Sequence, residues 1–209
     1  MQGATIVLNC GIGNVNSLLN ACLKIDDNVT EIKEPSSLKN LDVKRIILPG
    51  VGAVGPYLEK LKSKGFIEVI SDHVVKNNVP FLGICVGMQI LATQCEEFGT
   101  HKGLDLIPGN VIPLKKTARS LKTPHVGWNN VSLSEKVDSQ AELNGEHFYF
   151  VHSNYFSCDP EYIVGLCDYG LKFAAIVKNK NIYGVQFHPE KSSHAGELFL
   201  RKFICSGAL

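Results

Sequence analysis

Apolar residues along this chain fall into short runs separated by glycine, proline and polar clusters. Thr5-Ile6-Val7-Leu8-Asn9, Val43-Lys44-Arg45-Ile46-Ile47-Leu48 and Val79-Pro80-Phe81-Leu82-Gly83-Ile84 are each of strand length. Between them the apolar period lengthens to that of a helix. Residues 17–23 read as one helix and Pro56 starts another. Residues 66–75 place Ile67, Ile70, Val74 and Val75 on one helical face, and Val86, Ile90 and Leu91 mark a helix over 86–92. This alternation predicts a parallel sheet with helices on both faces. Ligands of such sheets bind at the carboxyl ends of the strands, so loops 10–14, 49–53 and 83–87 should share one edge.

The second half is patterned differently. Residues 99–130 are rich in Gly, Pro, Lys and Thr, and the basic cluster Lys115, Lys116, Arg119 and Lys122 reads as a solvated loop or hairpin. Phe148-Tyr149-Phe150-Val151, Tyr162-Ile163-Val164-Gly165-Leu166, Phe173-Ala174-Ala175-Ile176-Val177 and Ile182-Tyr183-Gly184-Val185-Gln186-Phe187 are β-rich runs bounded by turn residues. They predict antiparallel strands added to the parallel core. A last helix is expected over 195–204. The expected fold is therefore α/β: one domain over residues 1–209, a doubly wound, mostly parallel central sheet with added antiparallel strands in the second half.

Composition narrows the function. The chain has 209 residues, enough for one sizeable core, and its net charge of +1 gives no electrostatic case for nucleic acid or an anionic membrane. No apolar run approaches membrane-spanning length. The first five residues show no basic region ahead of an apolar one, so no secretory signal is expected. Seven cysteines without a C-x-x-C pair indicate neither a disulfide framework nor a zinc site, and a cytoplasmic location is the expectation. Gly11-x-Gly13 resembles the start of a dinucleotide fingerprint, but Asn16 stands where its third glycine belongs.

Two stretches carry chemistry. Cys85 sits where an apolar strand turns into a helix, with Gly83 and Gly87 two residues away on either side. That is the pattern of a nucleophile elbow, with a helix N-terminus behind the sulfur. A buried, inert cysteine is the alternative. After the last strand, His188-Pro189-Glu190 holds an imidazole and a carboxylate in fixed relation across a proline. Thiol, imidazole and carboxylate together make a generalised triad, in which the imidazole relays the thiol proton and the carboxylate orients the ring. Pro49-Gly50-Val51-Gly52-Ala53 reads either as a plain turn or as a loop whose N–H groups face an anion.

Gly83-Ile84-Cys85-Val86-Gly87-Met88-Gln89 taken with His188-Pro189-Glu190 resembles the class I (triad) glutamine amidotransferases. The likeness narrows through Gly13-Asn14 with Ser17, Pro49-Gly50-Val51-Gly52, Gly103-Leu104-x-Leu106-Ile107-Pro108-Gly109, Pro124-His125-Val126-Gly127-Trp128-Asn129, Tyr149-Phe150-Val151-His152-Ser153 and 184–192. Together these cover nearly the whole chain and resemble the glutaminase subunits of imidazole glycerol phosphate synthase. Met88 before Gln89 and the pair Glu96-Glu97 fit that group.

The resemblance implies a specific division of roles. Cys85 is the nucleophile toward L-glutamine, His188 the base and acid, and Glu190 its orienter. Backbone N–H groups of Val51, Gly52 and Val86 meet the oxyanion. Gln89, Glu97 and the backbone near Ser153 hold the substrate. Asn14, Trp128, Tyr149 and Lys191 face a (β/α)₈ cyclase partner, which uses the ammonia in histidine biosynthesis. No cofactor and no metal are implied. Two departures leave alternatives open. Asn154 stands where an aromatic is usual, and Gly165-Leu166-Cys167-Asp168-Tyr169-Gly170 replaces a small-residue tract. A paralogue supplying ammonia to a different synthase, such as one making an amino or amidino sugar, is one alternative. A catalytically inactive module that only binds a partner is the other.

Overall fold

The computed structural model describes residues 3–39, 41–117, 120–134 and 142–208. In chain order the elements begin with β1 (Ala4–Leu8), α1 (Val15–Leu23), β2 (Val29–Ile32), β3 (Val43–Gly50) and α2 (Val54–Ser63). Next come α3 (Phe66–Val69), which continues in wider π-helical turns over Ile70–Lys76, then β4 (Phe81–Cys85) and α4 (Val86–Gln89). The short strands β5 (Gln94–Glu96), β6 (Thr100–Lys102) and β7 (Asn110–Pro113) lead to α5 (Leu114–Thr117), β8 (His125–Asn130) and β9 (Ser132–Leu133). The chain closes with β10 (His147–His152), β11 (Asn154–Ser157), β12 (Ile163–Asp168), β13 (Lys172–Asn179), β14 (Ile182–Val185) and α6 (Ser193–Ser206).

The main sheet runs β2-β1-β3-β4-β14-β13-β11-β7-β5-β6, with β12 also on β13 and β9 on β12. Strands β2, β1, β3, β4 and β14 are mutually parallel, and β13 adds antiparallel to β14. The inner strands are apolar on both faces because helices cover both. Ile46, Ile47, Leu48, Phe81 and Leu82 are all fully buried. The mostly parallel core with antiparallel additions is the fold expected from the sequence.

Several boundaries differ from the expectation. The strand placed at Val79 begins at Phe81, because Pro80 has no N–H to give the ladder, although its carbonyl accepts from Ile46. The helix expected over 86–92 stops at Gln89. The carbonyls of Ile90, Leu91 and Ala92 are taken by N–H groups of residues 104–107 instead of continuing the helix. Residues 99–130 contain β6, β7, α5 and β8. In the basic cluster, Lys115 and Lys116 lie on α5 with Lys116 paired to Glu96, while Arg119 lies outside the described residues. Among the described residues no helix is long and apolar enough to cross a membrane.

One correction matters for the site. Phe148 to Val151 does not join the main sheet. β10 pairs with β8 in a separate two-stranded ribbon, in register from His147 opposite Asn130 to His152 opposite His125. Alternate residues on β10 face opposite ways, so Phe148 and Phe150 are fully buried while Val151 is exposed. Phe148 stacks on Phe187 at 4.0 Å, and Phe187 meets Phe199 of α6 edge-on at 5.3 Å. This aromatic wedge docks the ribbon on the residue before His188. Phe199→Ala should therefore cost about 3–5 kcal/mol, as large cavities in packed cores do. Urea denaturation measures it, and a loss under about 1 kcal/mol would contradict the packing described.

Candidate active site

The site is assembled by three adjacent parallel strands. Gly50 at the end of β3 lies opposite Cys85 at the end of β4, and Val185 at the end of β14 lies opposite Ile84. Their carboxyl ends put the 51–53 loop, Cys85 and His188 side by side. Loop 10–14 follows β1 at the same edge. Cys85 has φ 55 and ψ −108, outside the ordinary regions for a residue with a β-carbon. Such a conformation costs on the order of 1–3 kcal/mol and persists only where surroundings enforce it. Here the enforcement is close approach: a β-carbon on Gly83 would run into the Gly87 carbonyl, and one on Gly87 into the Leu48 carbonyl.

Cys85 and His188 line one cavity of about 290 Å³, with Glu190 behind His188; Val51, Gly52, Val86, Gln89, Glu97, Pro124, Val151, His152, Ser153 and Asn154 complete its wall. That volume suits a small ligand. Nδ1 of His188 lies 2.9 Å from Oε1 of Glu190, and both side chains are almost wholly buried. Nε2 of His188 and Oε2 of Glu190 have no hydrogen-bond partner among the described residues. Burial works against charge on the His188 ring, but Cys85 and the Glu190 carboxylate outweigh it and hold its pKa up at about 10. The ring is thus an imidazolium at neutral pH. Its backbone is fixed as well: the His188 N–H donates to the Tyr149 carbonyl at 2.9 Å, and its own carbonyl accepts from the Ser192 hydroxyl at 2.6 Å.

The backbone N–H groups of Val51 and Gly52 find no acceptor among the described residues, and Gly52 has φ 86. The opposite wall is a polar network. Gln89, which lines the cavity, spends its Nε2 on the Gln186 side chain at 3.1 Å and the Asn154 carbonyl at 3.2 Å. Glu97 accepts from the Val54 N–H and from Asn154 Nδ2, both at 2.6 Å. Both Glu97 oxygens are therefore already engaged in holding protein groups. The Ser153 carbonyl accepts from Leu114, and the residue itself lines the cavity.

Three contributors went unrecognised in the sequence. Gln186 is fully buried and donates from Nε2 to the Cys85 sulfur at 3.7 Å. It stood inside the quoted Gly184–Ser192 motif, so its place was visible and its direction was not. His125 and His152 form a buried pair, Nδ1 to Nε2 at 2.9 Å. Burial pushes His152 down to about 3, against its bond to the Asn154 carbonyl, and His125 down to about 4, so both stay neutral. That fixes the tautomers: His152 donates from Nδ1 to Asn154 and accepts at Nε2 from His125. Among the described residues no cluster of three or more His, Cys, Asp or Glu could hold a metal ion.

Of the residues assigned to a partner surface, Trp128 and Tyr149 are cross-strand neighbours on the ribbon, their rings edge-to-face at 6.1 Å. Lys191 lies over the Tyr149 ring at 5.8 Å. Val126, Trp128 and Val151 are 55%, 51% and 36% exposed, an apolar strip beside the cavity mouth. Asn14 is elsewhere on the same edge, lining a shallow polar recess with Asn9, Gly11 and Gly13.

The charge state of His188 has a consequence for stability. With a folded pKa near 10 against a usual 6.5, its contribution is complete below about 6.5 and is lost as pH rises toward about 10. Thermal melts of wild type and His188→Gln should show a gap that narrows across that window. A constant gap would contradict the assigned ion pairing.

The family model described as glutamine amidotransferase class-I matches residues 6–205. The imidazole glycerol phosphate synthase subunit HisH of Geobacter sulfurreducens is 38% identical over 203 residues, covering 94% of this chain and 96% of that protein. The HisH subunit of Archaeoglobus fulgidus is 37% identical, covering 95% and 96%. A solved glutamine amidotransferase superposes with a TM-score of 0.72 at 17% identity, over 95% of this chain and 99% of that one, which speaks for the fold alone. The chain belongs to the class-I glutamine amidotransferase family.

Proposed function

We propose that this chain is the glutaminase subunit of an imidazole glycerol phosphate synthase. The observation that carries the reading is the meeting of Cys85, at a strained strand–helix turn, with the buried His188–Glu190 pair, in a chain resembling HisH subunits over nearly its whole length. The Cys85 thiolate attacks the side-chain amide carbon of glutamine. The oxyanion is met by N–H groups of Val51, Gly52 and Val86. Imidazolium His188 gives its proton to the departing nitrogen, so ammonia leaves and a glutamyl thioester remains. His188 then takes a proton from water, which attacks the thioester; glutamate leaves and Cys85 is restored. Glu190 holds the ring and offsets its charge. Gln89, Ser153 and the Glu97–Asn154 pair shape the glutamine end of the cavity.

Ammonia passes to a (β/α)₈ cyclase subunit, which joins it to a ribulosyl ribotide and yields imidazole glycerol phosphate and an aminoimidazole carboxamide ribotide. The exposed strip Val126, Trp128 and Val151, with Tyr149 and Lys191 beside it and Asn14 along the same edge, supports docking there. The work is done in the cytoplasm, where the pathway's substrates are. Docking also serves as a switch. Free Val51 and Gly52 N–H groups, with Gly52 at a left-handed φ and open space around it, suit a peptide that can turn toward or away from the oxyanion. Gly50 is a poor site to probe this, since a β-carbon there would press within 2.7 Å of the Gly87 nitrogen.

Two experiments follow. In the assembled complex, Cys85→Ala should abolish glutamine-dependent synthesis and leave ammonia-dependent synthesis largely intact, while Glu190→Gln should cost less than loss of Cys85. Failure of ammonium salts to rescue an assembled Cys85→Ala complex would refute the division of labour. Glutamine hydrolysis should be slow for the chain alone, faster with the cyclase, and fastest with cyclase plus ribotide ligand. An oxyanion donor is worth about 10²–10³ in rate, so a span of that order is expected. Equal rates in all three states would dispose of the switch.

A further inference from the structure

Tyr57 has no role in the chemistry above, yet it is wholly buried against it. It stands on the first turn of α2, four residues past Ala53. Its hydroxyl reaches back to donate to the Pro49 carbonyl at 2.5 Å. Its ring packs on Gly50, where a β-carbon would sit 3.0 Å from the Tyr57 Cζ. The hydroxyl therefore ties the start of the oxyanion loop to the helix that follows it. The far end of the same loop is tied independently, by the Val54 N–H donating to Glu97 at 2.6 Å. Between these ties lie Val51 and Gly52, whose N–H groups have no acceptor among the described residues.

We propose that Tyr57 is a positioning residue for the oxyanion loop: its hydroxyl pins the Pro49–Gly50 peptide, so that rotation is confined to the peptides of Val51 and Gly52. The inference rests on reading those N–H groups as the oxyanion donors. A peptide pinned at both flanks has few arrangements to choose between, which makes it a two-position element rather than a loose loop. Without the upstream tie, the end of β3 is held only by its pairing with β4, and the donors lose their aim. Burial, with Cys10 and Cys85 nearby, holds the phenol well above its ordinary pKa, so it stays a hydroxyl donor throughout the working range. The same hydroxyl lies beside Cys10, and the Pro49 carbonyl beside Gly13, so the clamp touches the loop that carries Asn14 toward the partner side.

The test is Tyr57→Phe, which removes one oxygen and keeps the ring. Measured in the complex with the cyclase subunit and its ribotide ligand, kcat for glutamine should fall about tenfold, less than for loss of a direct donor, with KM within about twofold. Alkylation of Cys85 by iodoacetamide is a displacement that needs no oxyanion donor, and its rate should stay within about twofold of wild type. An unchanged kcat overturns the proposal. So does an equal fall in kcat and alkylation, which would make Tyr57 a support of the elbow as a whole. Loss of cooperative unfolding in the variant would assign the hydroxyl to the fold and overturn it too. Wild-type complex run alongside separates the two claims. If it does not turn over glutamine, the functional reading fails; if it does and Tyr57→Phe matches it, only the clamp fails.

Discussion

The whole site depends on how closely the β4–α4 turn packs against its own neighbours. Gly87 lies so near the Leu48 carbonyl of β3, and Gly83 so near the Gly87 carbonyl, that no side chain fits at either place. The turn can only be this tight if Cys85 takes φ 55, and that strain is held by β3 on one side and β14 on the other. Cys85 is thereby placed by backbone rather than by side-chain contacts. His188 and the 51–53 loop inherit their positions from the same two flanking strands. A single steric fact about β4 thus brings together the 51–53 loop, Cys85 and His188, three segments far apart in sequence.

The ribbon β8–β10 gives the second layer of organisation. Its buried face, through Phe148 and Phe150, is wedged on Phe187, directly before His188. Its last residue, His152, begins the hydrogen-bonded chain through the Asn154 carbonyl to Gln89 and on to Gln186 beside Cys85. Its outer face carries Val126, Trp128 and Val151 to solvent. One small two-stranded element therefore touches the residue before His188, the cavity and the exposed apolar strip. The ribbon also reaches Cys85 directly, whose sulfur lies 4.0 Å from the Val151 carbonyl oxygen.

What the sequence revealed, and what it hid, follows from which signals are local. Strands β1, β3, β4, β13 and β14 announce themselves because each contains a buried, mostly apolar run of four or five residues. β2 reads Val-Thr-Glu-Ile with only its ends buried, and β5 and β6 are three residues each, too short to show a period. The ribbon's separateness was hidden because pairing partners are not written in hydrophobic pattern, only the alternation of faces is. At the site, Cys85, His188 and Glu190 were legible from residue type, spacing and family resemblance. Tyr57, Gln186 and the His125–His152 pair were not. Their parts depend on where a hydroxyl, an amide or a ring nitrogen points after folding, across separations such as the 101 residues from Cys85 to Gln186.

The central claim is that Cys85, alone among seven cysteines, is presented as a nucleophile to a bound glutamine. Incubation of the chain, with the proposed cyclase partner, in an electrophilic glutamine analogue such as the diazoketone of norleucine, followed by peptide mass spectrometry, tests it directly. The account predicts one adduct, on Cys85, lost when glutamine is added in excess. An adduct spread over Cys158 and Cys205, the cysteines least buried in the fold, or no adduct at Cys85, would contradict it.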